Sequence, residues 1–186
     1  MRIIGGKFRG HTLAAPPGRD TRPTSDRVRE AIFNILSHGA AAVAIEDARV
    51  LDLFAGTGAL GLEALSRGAR FCQFIDDRAE ARAVIRRNAD ALGVIGQCKI
   101  WRRDATQLGP CAPQPPYEIA FIDPPYGKSF GEKALRSLVE GGWLAKDATA
   151  VLEESTKSEI GMPEGMTQMD ERVYGDTKVL FMKCYG

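Results

Sequence analysis

Metal ligands, long apolar runs and charge of one sign are all scarce in this 186-residue chain. The only histidines, His11 and His38, have no cysteine or second histidine nearby, so a metal-free site is expected. The four cysteines, Cys72, Cys98, Cys111 and Cys184, follow no ligand spacing and read as reduced core residues. No apolar run approaches the roughly 20 residues that span a bilayer. The early basic residues are followed by no apolar signal core, so a cytoplasmic protein with no membrane partner is the default expectation. The net charge of +1 names no partner, and there is no internal repeat. What is abundant is core-forming residue, 44% of the chain, enough for one domain.

Apolar stretches alternate between strand and helix spacing, which argues for a parallel sheet covered on both faces. Residues 1–14 are glycine-rich and read as an irregular hairpin, followed by a proline-rich basic loop. Thr24 or Ser25 is placed to cap a helix in which Val28, Ala31, Ile32, Ile35 and Leu36 form the buried stripe, with Arg27 and Arg29 off it. Residues 1–38 thus form an N-terminal hairpin, loop and helix, and residues 49–186 the core. Within that core, strands are expected at 50–54, 71–75, 99–102, 117–122 and 149–153, and helices at 59–66, 78–92 and 130–139. A final antiparallel pair, 168–174 and 178–185, turns at Gly175-Asp176.

The first core strand runs into Asp52-Leu53-Phe54-Ala55-Gly56-Thr57-Gly58 and then a helix. Small residues let a ligand approach the backbone, and the free N–H groups opening the helix favour a polar or anionic ligand group. About twenty residues on, the second strand ends in Asp76-Asp77, where a carboxylate can accept from two ribose hydroxyls. A nucleoside ligand is implied. Gly56-x-Gly58-x-x-Gly61 also fits the NAD fingerprint. Asp52 favours S-adenosylmethionine, because a carboxylate before the turn suits the ammonium of a methionine moiety. Asp104, followed by Ala105, could accept from the adenine amine, although loop capping also explains such an Asp.

The strand at 117–122 closes in Asp123-Pro124-Pro125-Tyr126. Each proline fixes φ and lacks an N–H, so the corner is stiff. The Asp123 carboxylate and Pro124 carbonyl can both accept from one exocyclic amine, and the Tyr126 ring can stack on a base drawn out of its helix. A dehydrogenase has no use for this corner.

These motifs, with the opening MRIIGGKFRG (residues 1–10), RPTSDRVREAIFNIL (22–36) and FIDPPY (121–126), give the chain a resemblance to the RsmD family of 16S ribosomal RNA guanine-N2 methyltransferases along nearly its whole length. Segment 22–36 is the most particular to that family. The resemblance implies an α/β, Rossmann-like class I methyltransferase fold with a mostly parallel seven-stranded sheet in the order 3-2-1-4-5-7-6. It also implies S-adenosylmethionine as cofactor, no metal, and 16S rRNA in the small ribosomal subunit or its assembly intermediate as partner of a monomeric enzyme. One departure stands out: the second strand of family members ends in an acid, a variable residue and Asp, whereas here Asp76-Asp77-Arg78 follows. Asp76 takes the ribose by register, with Asp77 as the alternative.

Charge distribution adds a surface. Residues 1–36 hold seven Lys/Arg against three Asp/Glu, and residues 140–186 five against nine, so the basic end is the candidate RNA face. Lys7, Arg9, Arg22, Arg27, Arg29 and Lys128 are the candidate RNA contacts, with the methionine end of the cofactor as another target for Arg22, Thr24, Arg27 and Arg29. Arg78, Arg82 and Arg86 form a charged helical stripe that either meets RNA or is simply solvated. Two further readings stay open: a DNA adenine-N6 methyltransferase, disfavoured by the lack of an insertion large enough for DNA recognition, and a non-catalytic ribosome assembly factor.

Overall fold

The computed structural model describes residues 1–16 and 25–185. Thr24 and Arg22 lie outside them. A central sheet is built from β1 (Arg49–Leu53), β2 (Phe71–Ile75), β3 (Cys98–Trp101), β4 (Tyr117–Ile122), β5 (Leu144–Ser155), β6 (Met166–Tyr174) and β7 (Thr177–Cys184). Helices α1 (Asp26–His38), α2 (Ala59–Ser66), α3 (Ala79–Ala91) and α4 (Phe130–Glu140) complete the main elements. The spatial order is β3-β2-β1-β4-β5-β7-β6, as the resemblance implies. β1 to β5 pair in parallel, while β7 runs antiparallel to β5 and β6. The strand order reverses between β2–β1 and β1–β4, which opens a crevice at the carboxyl ends of those strands.

The central strands are buried on both faces, as the unbroken apolar letters of 119–122 require. One core cluster joins α1, α2 and α3 to the sheet through Phe33, Leu65, Phe74, Ile85 and Phe121. The other lies beneath α4, around Leu135, Leu138, Tyr117 and Trp143. Gly61 is a packing requirement, because a Cβ there would collide with the Phe74 ring and the Cys72 sulfur.

Two expectations need correction. β5 extends five residues before and two after the expected 149–153, because Leu144 pairs with Tyr117 of β4 across a register irregularity and β7 pairs on through Glu154 and Ser155, hydrogen bonding that periodicity alone does not register. More consequentially, Arg29 is not off the buried stripe of α1. The buried residues are Arg29, Ile32, Phe33 and Leu36, an i, i+3, i+4, i+7 set whose first member is a cation. Ser25 caps the helix, accepting from the Val28 N–H at 3.3 Å.

Residues 1–16 are fastened to the body rather than trailing from it. Buried Glu63 on α2 accepts from the Ile4 and Gly5 N–H groups at 2.8 Å each. Asn88 on α3 bonds both the N–H and the carbonyl of Ala14 and donates to the Thr57 carbonyl at 3.0 Å. The amino-terminal segment and the glycine turn therefore share one side chain.

Candidate active site

The crevice at the switch point is a cavity of about 680 Å³. It gathers Asp52, Phe54, Ala55, Gly56, Thr57, Asp76, Asp77, Asp104, Asp123, Pro124, Pro125 and Tyr126, residues that lie on four separate stretches of sequence. Met1 and Pro16 form part of its wall, where the Asn88 and Glu63 bonds hold the amino-terminal segment.

At the β1 end, Asp52 is 2% exposed and accepts from the Gly61 N–H at 2.9 Å. Burial pushes its carboxyl up to about 8, the Gly61 bond opposing and the nearby Asp76 adding to the shift. A cation arriving beside Asp52 would draw out that proton. Phe54 has φ 55° and Gly58 φ 78°, so the turn leaves the strand and enters α2 through left-handed positions. Gly58 caps α2 without lining the cavity.

Asp76 is buried and heavily engaged: Oδ2 accepts from the Gly56 N–H at 2.9 Å, and Oδ1 from the Arg78 N–H at 3.0 Å. The Arg78 guanidinium also grips both oxygens, Nε to Oδ1 at 3.1 Å and Nη2 to Oδ2 at 3.0 Å. Asp77 is exposed at the rim. Arg82 donates to the Asp76 and Asp77 carbonyls, so two of the three stripe arginines brace this turn and only Arg86 stands clear. Asp104 caps its own loop, accepting from the Thr106 N–H at 2.8 Å and hydroxyl at 2.7 Å, while remaining on the cavity wall. Ala105 is buried in the core beneath α4 and does not reach the cavity.

The β4 end is more open. Asp123 is half-buried, whereas Pro125, Tyr126, Gly127 and Lys128 are exposed. The Tyr126 hydroxyl lies 2.8 Å from Thr177 Oγ1 and donates to Glu153 Oε1 at 3.2 Å. Burial holds its pKa up at about 12. The Phe130 ring, also on the wall, stacks on Phe54 at 6.2 Å.

Among the wall residues that the sequence reading did not place at the site are Arg29 as an inward-facing group, Glu153 and Phe130. Arg29 is fully buried. Its Nη2 donates to the Arg2 carbonyl and to Asp26 Oδ1, both at 2.6 Å, while Nε and Nη1 have no partner among the described residues. As an RNA contact it is therefore corrected: the guanidinium sits on the inner wall of the cavity and not on the outer surface, where an RNA backbone would pass. Arg9 and Arg27 line a different groove with Arg2 and Arg67. Lys7 lies over the Phe8 ring and Lys128 over Phe130.

The family model described as "Conserved hypothetical protein 95" matches residues 1–183. Ribosomal RNA small subunit methyltransferase D of Escherichia coli K12 is 39% identical over 168 residues, 88% of this chain and 78% of that protein. The chain belongs to that family. The solved structure of yhhF from Escherichia coli superposes with a TM-score of 0.85 at 34% identity, covering 100% of this chain and 98% of that one. SMU.776, solved in complex with SAH, shares the fold at a TM-score of 0.62 and 18% identity, over 85% of this chain and 48% of that one. A class I methyltransferase fold thus carries the cavity lined by the glycine turn and the Asp123–Tyr126 corner.

Proposed function

We propose that this chain transfers a methyl group from S-adenosylmethionine to the exocyclic N2 of a guanine in small-subunit (16S) rRNA, by direct in-line displacement and with no covalent enzyme intermediate. The observation that carries the reading is a single cavity with the buried acids Asp52 and Asp76 at one end and the Asp123–Tyr126 corner at the other. The names of the curated relatives support rRNA as the substrate class.

The residues present fit the cofactor. A methionine moiety is a zwitterion, and the cavity wall offers a buried cation with two donors left unpaired among the described residues, Arg29, together with a buried carboxyl that burial keeps protonated until a cation arrives beside it, Asp52. Leaving guanidinium donors unpaired in a protein interior costs on the order of 1–3 kcal/mol, a cost that a carboxylate accepting from Nε and Nη1 would remove. Asp76 would take the ribose hydroxyls, sharing its oxygens with Arg78 and the Gly56 N–H. Asp104 would accept from the adenine amine. Bound there, S-adenosylmethionine supplies a methyl group made electrophilic by its sulfonium.

The chain's own part is to hold the amine. The lone pair of a purine amine is delocalised into the ring. Acceptance of both N–H hydrogens, by the Asp123 carboxylate and the Pro124 carbonyl, favours the pyramidal nitrogen and stabilises its developing positive charge. Proline stiffness keeps those acceptors in place without reorganisation, and fixing the line of approach supplies the rest. Tyr126, anchored through its hydroxyl, offers its ring face to the extruded base.

The test is incubation with radiolabelled S-adenosylmethionine and small subunits from cells lacking the enzyme, followed by digestion to nucleosides. Label in N2-methylguanosine is expected. Label in another nucleoside, or in N6-methyladenine only when DNA is supplied, would overturn the reading.

A further inference from the structure

We propose that Glu153 is the residue that selects guanine, by accepting the ring N1–H beside the amine held at Asp123. The inference rests on the N2-methylation reading above and adds what that reading lacks, a physical reason for guanine. Acceptance of two amine hydrogens by Asp123 and Pro124 suits adenine N6 and cytosine N4 as well as guanine N2. The bases differ at the ring nitrogen next to the amine, where guanine N1 carries a proton and adenine N1 and cytosine N3 carry lone pairs. A carboxylate at that place attracts guanine and repels the other two.

The fold supplies such a carboxylate. Ile122 of β4 lies opposite Leu152 of β5 in parallel register, so the next residues, Asp123 and Glu153, emerge side by side at the strand ends. Both line the cavity together with Tyr126. Glu153 is 9% exposed at the end of the buried run Thr149, Ala150, Val151 and Leu152. An apolar residue would pack there without the desolvation cost of an acid, and the following Glu154 alternates to the other face and bonds the Ser155 N–H instead. The Tyr126 hydroxyl donates to Oε1, which orients the carboxylate beside the very ring proposed to stack on the base. A carboxylate keeps capacity for several hydrogen bonds at once. Its pull on the N1 proton also raises electron density at N2, so selection and activation act through one contact.

The experiment uses small subunits reassembled around 16S RNA carrying either guanine or 2-aminopurine at the modified position, once that position is mapped. 2-Aminopurine keeps the amine but has a lone pair at N1. Wild-type protein should methylate guanine about 100-fold faster, in keeping with a charged hydrogen bond replaced by a repulsion. Glu153→Gln, whose amide can donate, should cut the guanine rate and lose most of the preference, so that the two substrates come within about tenfold. The loss of O6 in 2-aminopurine cancels because both proteins face the same pair of substrates. Tyr126→Phe removes the hydroxyl that touches Glu153 but leaves the carboxylate, and it should retain the preference. Equal slowing of both substrates in Glu153→Gln would overturn the inference and leave Glu153 as a support for Tyr126. So would equal methylation of the two by wild type. A wild-type product other than N2-methylguanosine on the unmodified subunit would instead mean that the underlying reading had failed.

Discussion

The two ends of the cavity are built differently. Around β1 and β2 the polar groups are buried and pinned by hydrogen bonds: Asp52 by the Gly61 N–H, Asp76 by the Gly56 and Arg78 N–H groups, and the Thr57 carbonyl by the Asn88 side chain. Around β4 and β5 the chain turns outward, with Tyr126 through Ser129 exposed and the Tyr126 hydroxyl tied back to the sheet. A preformed end suits a small ligand that is the same in every turnover, and an open end suits a macromolecular substrate that must enter and leave. The contrast implies that cofactor binding is independent of the corner, whereas turnover needs both.

Removing the acceptor at the open end is the sharpest way to separate them. Asp123→Ala should slow methyl transfer by roughly 10²–10³-fold while the Kd for S-adenosylhomocysteine, measured by calorimetry, stays within about twofold of wild type. At the closed end, Arg29→Met should weaken S-adenosylhomocysteine by about 10–100-fold yet leave 5′-methylthioadenosine, which lacks the carboxylate, nearly unaffected. Equal weakening of both ligands would mean that Arg29 only supports α1.

Asp52 sharpens the comparison through pH. Its folded-state carboxyl sits near 8, above the unfolded value, so the unfolded chain gives up its proton first, and this group subtracts stability as pH rises from about 4 to about 8. An ammonium beside it favours the ionised form. S-adenosylmethionine binding should therefore release a proton below pH 8, and affinity should climb by up to about tenfold per pH unit between pH 6 and 7.5. Calorimetry in buffers of different ionisation enthalpy reads the released proton directly, and Asp52→Asn should flatten the pH dependence. A smaller effect is expected from Asn88→Ala, which unties Ala14 from Thr57: a loss of roughly 1–3 kcal/mol of stability, seen as a lowered Tm, with weaker cofactor binding but an unchanged preference for the base.

Much of this was legible in the sequence. The glycine turn, the acids at the ends of β1 and β2 and the proline corner each sit at a strand end, and strand ends are where periodicity stops and polar letters begin. Sheet order was not legible from periodicity and came from family resemblance. Arg29 was misplaced because a buried stripe is traced through apolar letters, and a cation that belongs to it is passed over. Glu153 had a visible signal: it ends an apolar run as Asp123 does, but with no proline beside it to mark a corner. Arg78 shows the reverse case. The sequence offered it as a surface charge, and only the fold of the turn after β2 turns it back onto Asp76.

The most direct test of the account is a titration of S-adenosylhomocysteine into the free protein, without RNA, run side by side on wild type, Asp123→Ala and Asp52→Asn. The account predicts one molecule bound per chain, with equal affinity in wild type and Asp123→Ala and clearly weaker binding in Asp52→Asn. Binding that required RNA, or that fell with Asp123 and not with Asp52, would contradict it.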